Sequence, residues 1–210
     1  MPLKRSSEIR RIHLIGVSGA GMLPLSLCLK QAGANVSGED DRMTSEAKET
    51  LERYQIPILS ASDIKNSEVL VVYSSVIGDS HPSRAESSRR GWKQIQRGLC
   101  LADVVKGKRL IAVAGSHGKT STTGILIDLF ESIGEEPSYA MGGRFASKRD
   151  PGRWTQSEWM IVELDESDGT IEEFSPEISI ILNADHDHHS KYATETEYLD
   201  IFRRLGLRTT

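Results

Sequence analysis

The stretch with the clearest chemistry is Ala112-Val-Ala-Gly-Ser-His-Gly-Lys-Thr-Ser-Thr-Thr123. An apolar run ends there in a glycine turn and passes into an apolar helical pattern that continues to Ile133. A glycine turn at a helix N-terminus aims backbone N–H groups at an anion, a lysine beside it neutralises phosphate charge, and the next threonine hydroxyl can ligate Mg²⁺. ATP or GTP is the natural occupant. Gly115, Ser116, His117, Gly118, Lys119, Thr120 and Ser121 are the expected phosphate contacts. The spacing G-x-x-x-x-G-K-[ST] asks for glycine at position 113, where this chain has Val113, so the loop is a variant of that motif.

Two further segments bring chemistry to strand ends. Trp159 to Val162 is followed by Glu163-Leu-Asp-Glu-Ser-Asp-Gly169, and on an extended backbone Glu163 and Asp165 share a face. Carboxylates leaving a strand beside a phosphate loop are where Mg²⁺ ligands belong, with Glu163 the first choice and most of the others expected in a solvated acidic turn. Ile178 to Leu182 delivers Asn183-Ala-Asp-His-Asp-His-His-Ser-Lys-Tyr192. The zinc pattern H-x-H-x-D-H fails there, because from His186 and His188 it meets Ser190 and Lys191. No dedicated zinc site is expected, and His186 and His189 read as exposed neighbours.

A second glycine loop lies near the start, in Ile12-His-Leu-Ile-Gly-Val-Ser-Gly-Ala-Gly-Met22. Asp40 follows the turn by about 20 residues, where a dinucleotide fold places a ribose-binding acid. The fingerprint G-x-G-x-x-G needs glycine at 16, 18 and 21, and the middle position is Ser18. Gly16, Gly19 and Gly21 still permit close backbone approach to a diphosphate, as in a nucleotide-sugar, and an NAD-dependent oxidoreductase ranks last.

The elements that must position these loops alternate along the chain. Short apolar runs at Ile12–Ile15, Val69–Tyr73, Leu110–Val113, Trp159–Val162 and Ile178–Leu182 interleave with helical patterns at Leu23–Leu29, Ala47–Tyr54, Ser83–Arg90 and Thr120–Ile133. That rhythm predicts an α/β fold built on parallel sheets. It restarts after Lys106-Gly-Lys-Arg109, a polar joint across which few contacts need pass. The expected division is a Rossmann-like domain over 1–107 and a partial P-loop-type α/β domain over 108–210.

With 210 residues, a formal charge of −4 and 38% hydrophobic residues, the chain has the composition of a globular protein without the positive field that gathers nucleic acid or anionic membrane. No apolar run approaches the ~20 residues of a spanning helix, so a cytoplasmic location is expected. Cys28 and Cys100 are expected as buried thiols.

Taken in order, His13 to Met22, Tyr73-Ser-Ser-Val-Ile77, Ala114 to Thr123, Glu163 to Asp168 and Asn183 to Tyr192 resemble the Mur ligase family. The resemblance implies an ATP-dependent ligase of peptidoglycan precursor synthesis that joins L-alanine to UDP-N-acetylmuramate through an acyl phosphate. It implies Lys119, Glu163 and His188 as catalytic residues, and Thr120, Glu163 and His188 as Mg²⁺ ligands. Gly16, Ser18, Gly19, Ala20, Gly21 and Met22 would surround the UDP-sugar diphosphate. Asp40 would lie near the ribose or uracil, Ser74 and Ser75 would close the cleft, and Arg97 would reach a phosphate. The chain departs from the family pattern at Ser18 for Gly, Ser116 for Thr, and Gly98-Leu99 for Ala-Glu. Alternatives are a ligase for recycled cell-wall peptide and a non-catalytic fragment that binds UDP-sugar and ATP. The resemblance also implies that the C-terminal amino-acid-binding domain is absent. A parallel sheet left incomplete exposes an unpaired edge and apolar faces, so 108–210 is expected to be poorly stable alone.

Overall fold

The computed structural model describes residues 11–65, 68–143, 149–166, 169–185 and 194–210. Its first half runs β1 (Arg11–Ile15), α1 (Met22–Gln31), β2 (Asn35–Glu39), α2 (Ser45–Arg53), β3 (Leu70–Tyr73), α3 (Pro82–Arg89), β4 (Lys93–Gln96) and α4 (Arg97–Val105). The four strands form a parallel sheet in the order β2-β1-β3-β4. The second half runs β5 (Arg109–Ala114), α5 (Lys119–Ser132), β6 (Ser138–Ala140), β7 (Gly152–Arg153), β8 (Trp159–Glu163), β9 (Ile178–Ile181) and α6 (Glu195–Leu207). Its sheet has the order β7-β6-β8-β5-β9, parallel except where β6 meets β7.

Strand order fixes where ligand loops open. β1 lies between β2 and β3, so the turn at Gly16 and the segment at Ser74 flank a switch point of the first sheet. In the second sheet β5 lies between β8 and β9, and Gly115, Glu163 and Asn183 cluster at the carboxyl ends of these three strands. Crevices at such points are where open α/β sheets bind ligands.

Helix α1 joins the two sheets. All eight residues from Met22 to Leu29 are buried, and a helix apolar on every side belongs inside a core rather than on one face of it. Pro24 falls in its first turn, where the missing N–H would have had no helical partner. Toward the second sheet, Cys28 Sγ donates to Tyr139 O at 3.2 Å. Gly152 approaches so closely that a Cβ there would stand 2.3 Å from Pro24 O. One apolar cluster accordingly runs from Leu14, Val36 and Leu51 through α1 to Ala112, Ala140, Met160, Val162 and Phe202. The expectation that few contacts cross the joint at 106–109 is corrected: a helix with no polar face needs apolar partners on both sides.

Both cysteines are free and buried, and burial pushes each thiol up to about 12, so both are neutral. Among the described residues no helix is long and apolar enough to cross a membrane. Gly152→Ala would force the backbone of β7 away from Pro24. A destabilisation of about 1–3 kcal/mol is expected from such overpacking, read from the denaturant midpoint of the 210-residue chain. An unchanged midpoint would contradict the shared core.

Candidate functional site

The turn after β5 uses Gly115 at φ +131° and Gly118 at φ +82°, both in the region that favours glycine. Gly115 also packs on the end of β9, since a Cβ would lie 2.9 Å from Asn183 O. The Asn183 amide clamps the turn from both directions: His117 N donates to its Oδ1 at 2.9 Å, and its Nδ2 donates to His117 O at 3.1 Å. Ser116 Oγ donates to Asp185 O at 2.7 Å and shares a second 2.7 Å bond with the Tyr198 hydroxyl from α6. The family departure at Ser116 thus keeps a hydroxyl that ties the loop to α6.

Lys119 opens α5 and folds back over the turn. Its Nζ donates to Gly115 O and to Ser116 O, and lies 3.2–3.3 Å from both oxygens of Glu166. Glu166 is 0% exposed, so placing most of this run's carboxylates in a solvated turn is wrong at this residue. A carboxylate so buried requires a paired cation, and Lys119, itself only 16% exposed, is that cation. Next along the helix, Thr120 Oγ1 donates to both oxygens of Glu163 at 3.0 Å, and Gly142 N donates to Glu163 Oε2 at 3.0 Å. Ser121 is exposed in the first turn of α5. Lys119, Thr120 and Glu163 are therefore brought together, while His188 lies outside the described residues.

A hydroxyl and a carboxylate in contact are two hard oxygen donors at the mouth of an anion-binding turn. Among the described residues no group of three or more His, Cys, Asp or Glu is positioned to hold a metal. This donor set fits Mg²⁺, which is held through one or two protein oxygens together with phosphates and water.

The first loop is built from the backbone. Gly16 N and Val17 N donate to Glu39 O at 2.9 and 3.0 Å, Gly19 N to Gly16 O at 3.1 Å, and Met22 N to Gly19 O at 2.9 Å. Asp40 is turned onto this loop: its Oδ2 accepts from Ser18 N at 2.9 Å and Ser18 Oγ at 2.6 Å, and its Oδ1 accepts from Arg42 N. The serine at position 18 thus supplies a second bond to Asp40 that glycine lacks. Ser74 flanks Gly16, Ser75 is exposed beyond it, and Ala20 is exposed at the turn. Met22 supports the loop from behind, with its side chain in the core.

Gly21 makes room for the Arg97 side chain within the first half, and Gly98 makes room for a contact between the halves. A Cβ at Gly21 would stand 2.9 Å from Arg97 Cδ, and one at Gly98 would stand 1.7 Å from Thr170 Oγ1. The second contact accounts for glycine where the family pattern has alanine: α4 meets the 3-10 turn at Ile171–Glu173 too closely for any side chain.

His13 is a functional-looking residue that turns out to be internal. It is buried in β1, bonded to Ser37 Oγ at 3.0 Å through Nδ1 and to Glu39 Oε1 at 3.0 Å through Nε2. The sequence signal was a polar residue inside an apolar strand, opposite residues 37 and 39, which share a face of β2. Burial opposes ionisation of Glu39, but hydrogen bonds from His13 and Ser83 outweigh it and hold the carboxyl below its ordinary 4.5. Glu39 therefore contributes stability that is present above about 4.5 and lost as pH falls through its lower folded value. Glu39→Gln is expected to lower the denaturant midpoint at pH 7 and to lose much of that effect near pH 3. An effect undiminished in acid would contradict the assignment.

Two parallel α/β sheets, each with a glycine turn at its switch point, define a Rossmann-like chain with two anion-competent loops. Residues 11–109 match a family model described as Mur ligase family, catalytic domain. The chain carries this match over a little under half of its length. It is 37% identical over 201 residues to a UDP-N-acetylmuramate–L-alanine ligase of Bdellovibrio bacteriovorus, covering 94% of this chain and 44% of that protein. A ligase of the same name from Streptomyces griseus is 34% identical over 199 residues, covering 93% and 42%. The chain thus spans less than half the length of these curated relatives. Among solved structures, the UDP-N-acetylmuramate-alanine ligase of Thermotoga maritima superposes with a TM-score of 0.85 at 28% identity, covering 95% of this chain and 47% of that one. A UDP-N-acetylmuramate:L-alanyl-gamma-D-glutamyl-meso-diaminopimelate ligase from Neisseria meningitides shares the fold with a TM-score of 0.87 at 24% identity, covering 97% and 69%.

Proposed function

We propose that this chain carries the UDP-N-acetylmuramate- and ATP-binding part of an ATP-dependent ligase that joins L-alanine to UDP-N-acetylmuramate in the cytoplasm. The observation that carries this is Lys119, Thr120 and Glu163 meeting at the turn after β5. The names of the curated relatives supply the substrates. Residues 1–107 take the nucleotide-sugar and 108–210 take ATP.

In the proposed reaction a carboxylate oxygen of UDP-N-acetylmuramate attacks the γ-phosphorus of ATP, and the bond to ADP breaks. The amine of L-alanine then attacks the resulting acyl phosphate, phosphate leaves, and the amide forms with loss of a proton. Attacker and triphosphate are both anionic, so the site must supply fixed positive charge and hold the attack in line. Lys119 supplies an ammonium already desolvated by Glu166 and the loop carbonyls. Thr120 and Glu163 would hold Mg²⁺, with His188 as a ligand of a second ion by family resemblance; the bound metal screens phosphate charge. Gly115 and Gly118 let the backbone approach the phosphates. Asp40 acts here through Ser18, by fixing the first loop around the diphosphate.

Lys119→Ala is expected to reduce ADP release dependent on UDP-N-acetylmuramate and L-alanine by about 10²- to 10³-fold, the scale of losing one donor to developing charge. Retained turnover would remove the ATP role from this loop. ATP binding by calorimetry without any ADP release from the unmodified chain would favour a binding module instead.

A further inference from the structure

We propose that Arg97 and Asp165 form an exchangeable ion pair that couples the two glycine loops. The proposal rests on the reading that the first loop takes a nucleotide-sugar diphosphate. Arg97, the first residue of α4, has a side chain only 11% exposed, and it lies against Gly21 at the N-terminus of α1. A helix N-terminus carries partial positive charge, so a sequestered guanidinium there requires an anion. That anion comes from the other sheet: Arg97 Nη2 lies 3.5 Å from Asp165 Oδ2. Asp165 stands two residues beyond Glu163 and immediately before Glu166, the carboxylates that engage Thr120 and Lys119. This pair therefore spans from the first loop to the phosphate machinery of the second.

The geometry makes this bridge replaceable. Asp165 is 44% exposed and the contact is long, which keeps the pair weak. A diphosphate at the N-terminus of α1 offers Arg97 two charges from the same side and releases Asp165. The released carboxylate adds negative charge beside Glu163 and strengthens the hold on a cation there. By linkage, Mg²⁺-nucleotide in the second loop and diphosphate in the first favour each other by the same factor. Gly98 against Thr170 keeps the two halves close enough for the exchange.

Calorimetry on the 210-residue chain tests this with UDP as the probe. Asp165→Asn removes this carboxylate as a competitor for Arg97 and is expected to tighten UDP binding by about two- to fivefold, the worth of a half-exposed ion pair. Arg97→Gln is expected to weaken UDP binding, and adding Asp165→Asn to it to change nothing further. In the unmodified chain saturating UDP should tighten Mg²⁺-adenylyl imidodiphosphate, and in Asp165→Asn it should not. UDP affinity unchanged or weakened in Asp165→Asn, with the unmodified chain binding UDP, overturns the coupling alone. Failure of the unmodified chain to bind UDP overturns both the coupling and the reading of the first loop beneath it.

Discussion

Everything in this structure depends on a helix that has no polar face. From Met22 to Leu29 α1 is buried, so apolar surface must meet it from two directions. The first sheet supplies one cover and β6 with β7 supplies another, which is why Gly152 presses on Pro24 and Cys28 reaches Tyr139 O. Area removed from water is the stabilising quantity, so each half protects the other's core. The same helix begins at Gly21, the last glycine of the first loop, and this sets that loop beside the acidic end of β8.

At the phosphate turn the controlling feature is charge held out of water. Glu166 is inaccessible and paired with Lys119, which also donates to the carbonyls of Gly115 and Ser116. A flexible lysine is thereby confined over the turn before any ligand arrives, and less ordering remains to be done on binding. The first loop achieves its order differently. Asp40 takes both donors of Ser18, and the carbonyl of Glu39 takes the amides of Gly16 and Val17. One loop is ordered by an ion pair, the other by a carboxylate and a carbonyl in adjacent residues.

How much of this was legible in the sequence follows from which signals are local. The turns at Gly16 and Gly115, the strands around them and Thr120 with Glu163 were legible, because glycine conformation and apolar runs act within a few residues. β4 was not, since Lys93-Gln-Ile-Gln96 lies at a sheet edge and needs no apolar run. Glu166 was misread because its burial depends on α6 and the Lys119 side chain, which lie far along the chain in both directions. The partner of Arg97 and the tight fit of Gly98 on Thr170 are likewise properties of how the halves meet. Met22, which the resemblance places around the diphosphate, has its side chain in the core, a placement set by the packing of α1 rather than by the loop.

The two loops ride on one cooperative core rather than on two independent ones. Native-state hydrogen exchange along the 210-residue chain tests this most directly. Amides of β1, α1, β5 and β8 are expected to share one opening free energy, with the loops and surface helices opening at lower cost. Loss of protection in β5 and β8 while β1 and α1 stay closed would show two separable units and contradict the account.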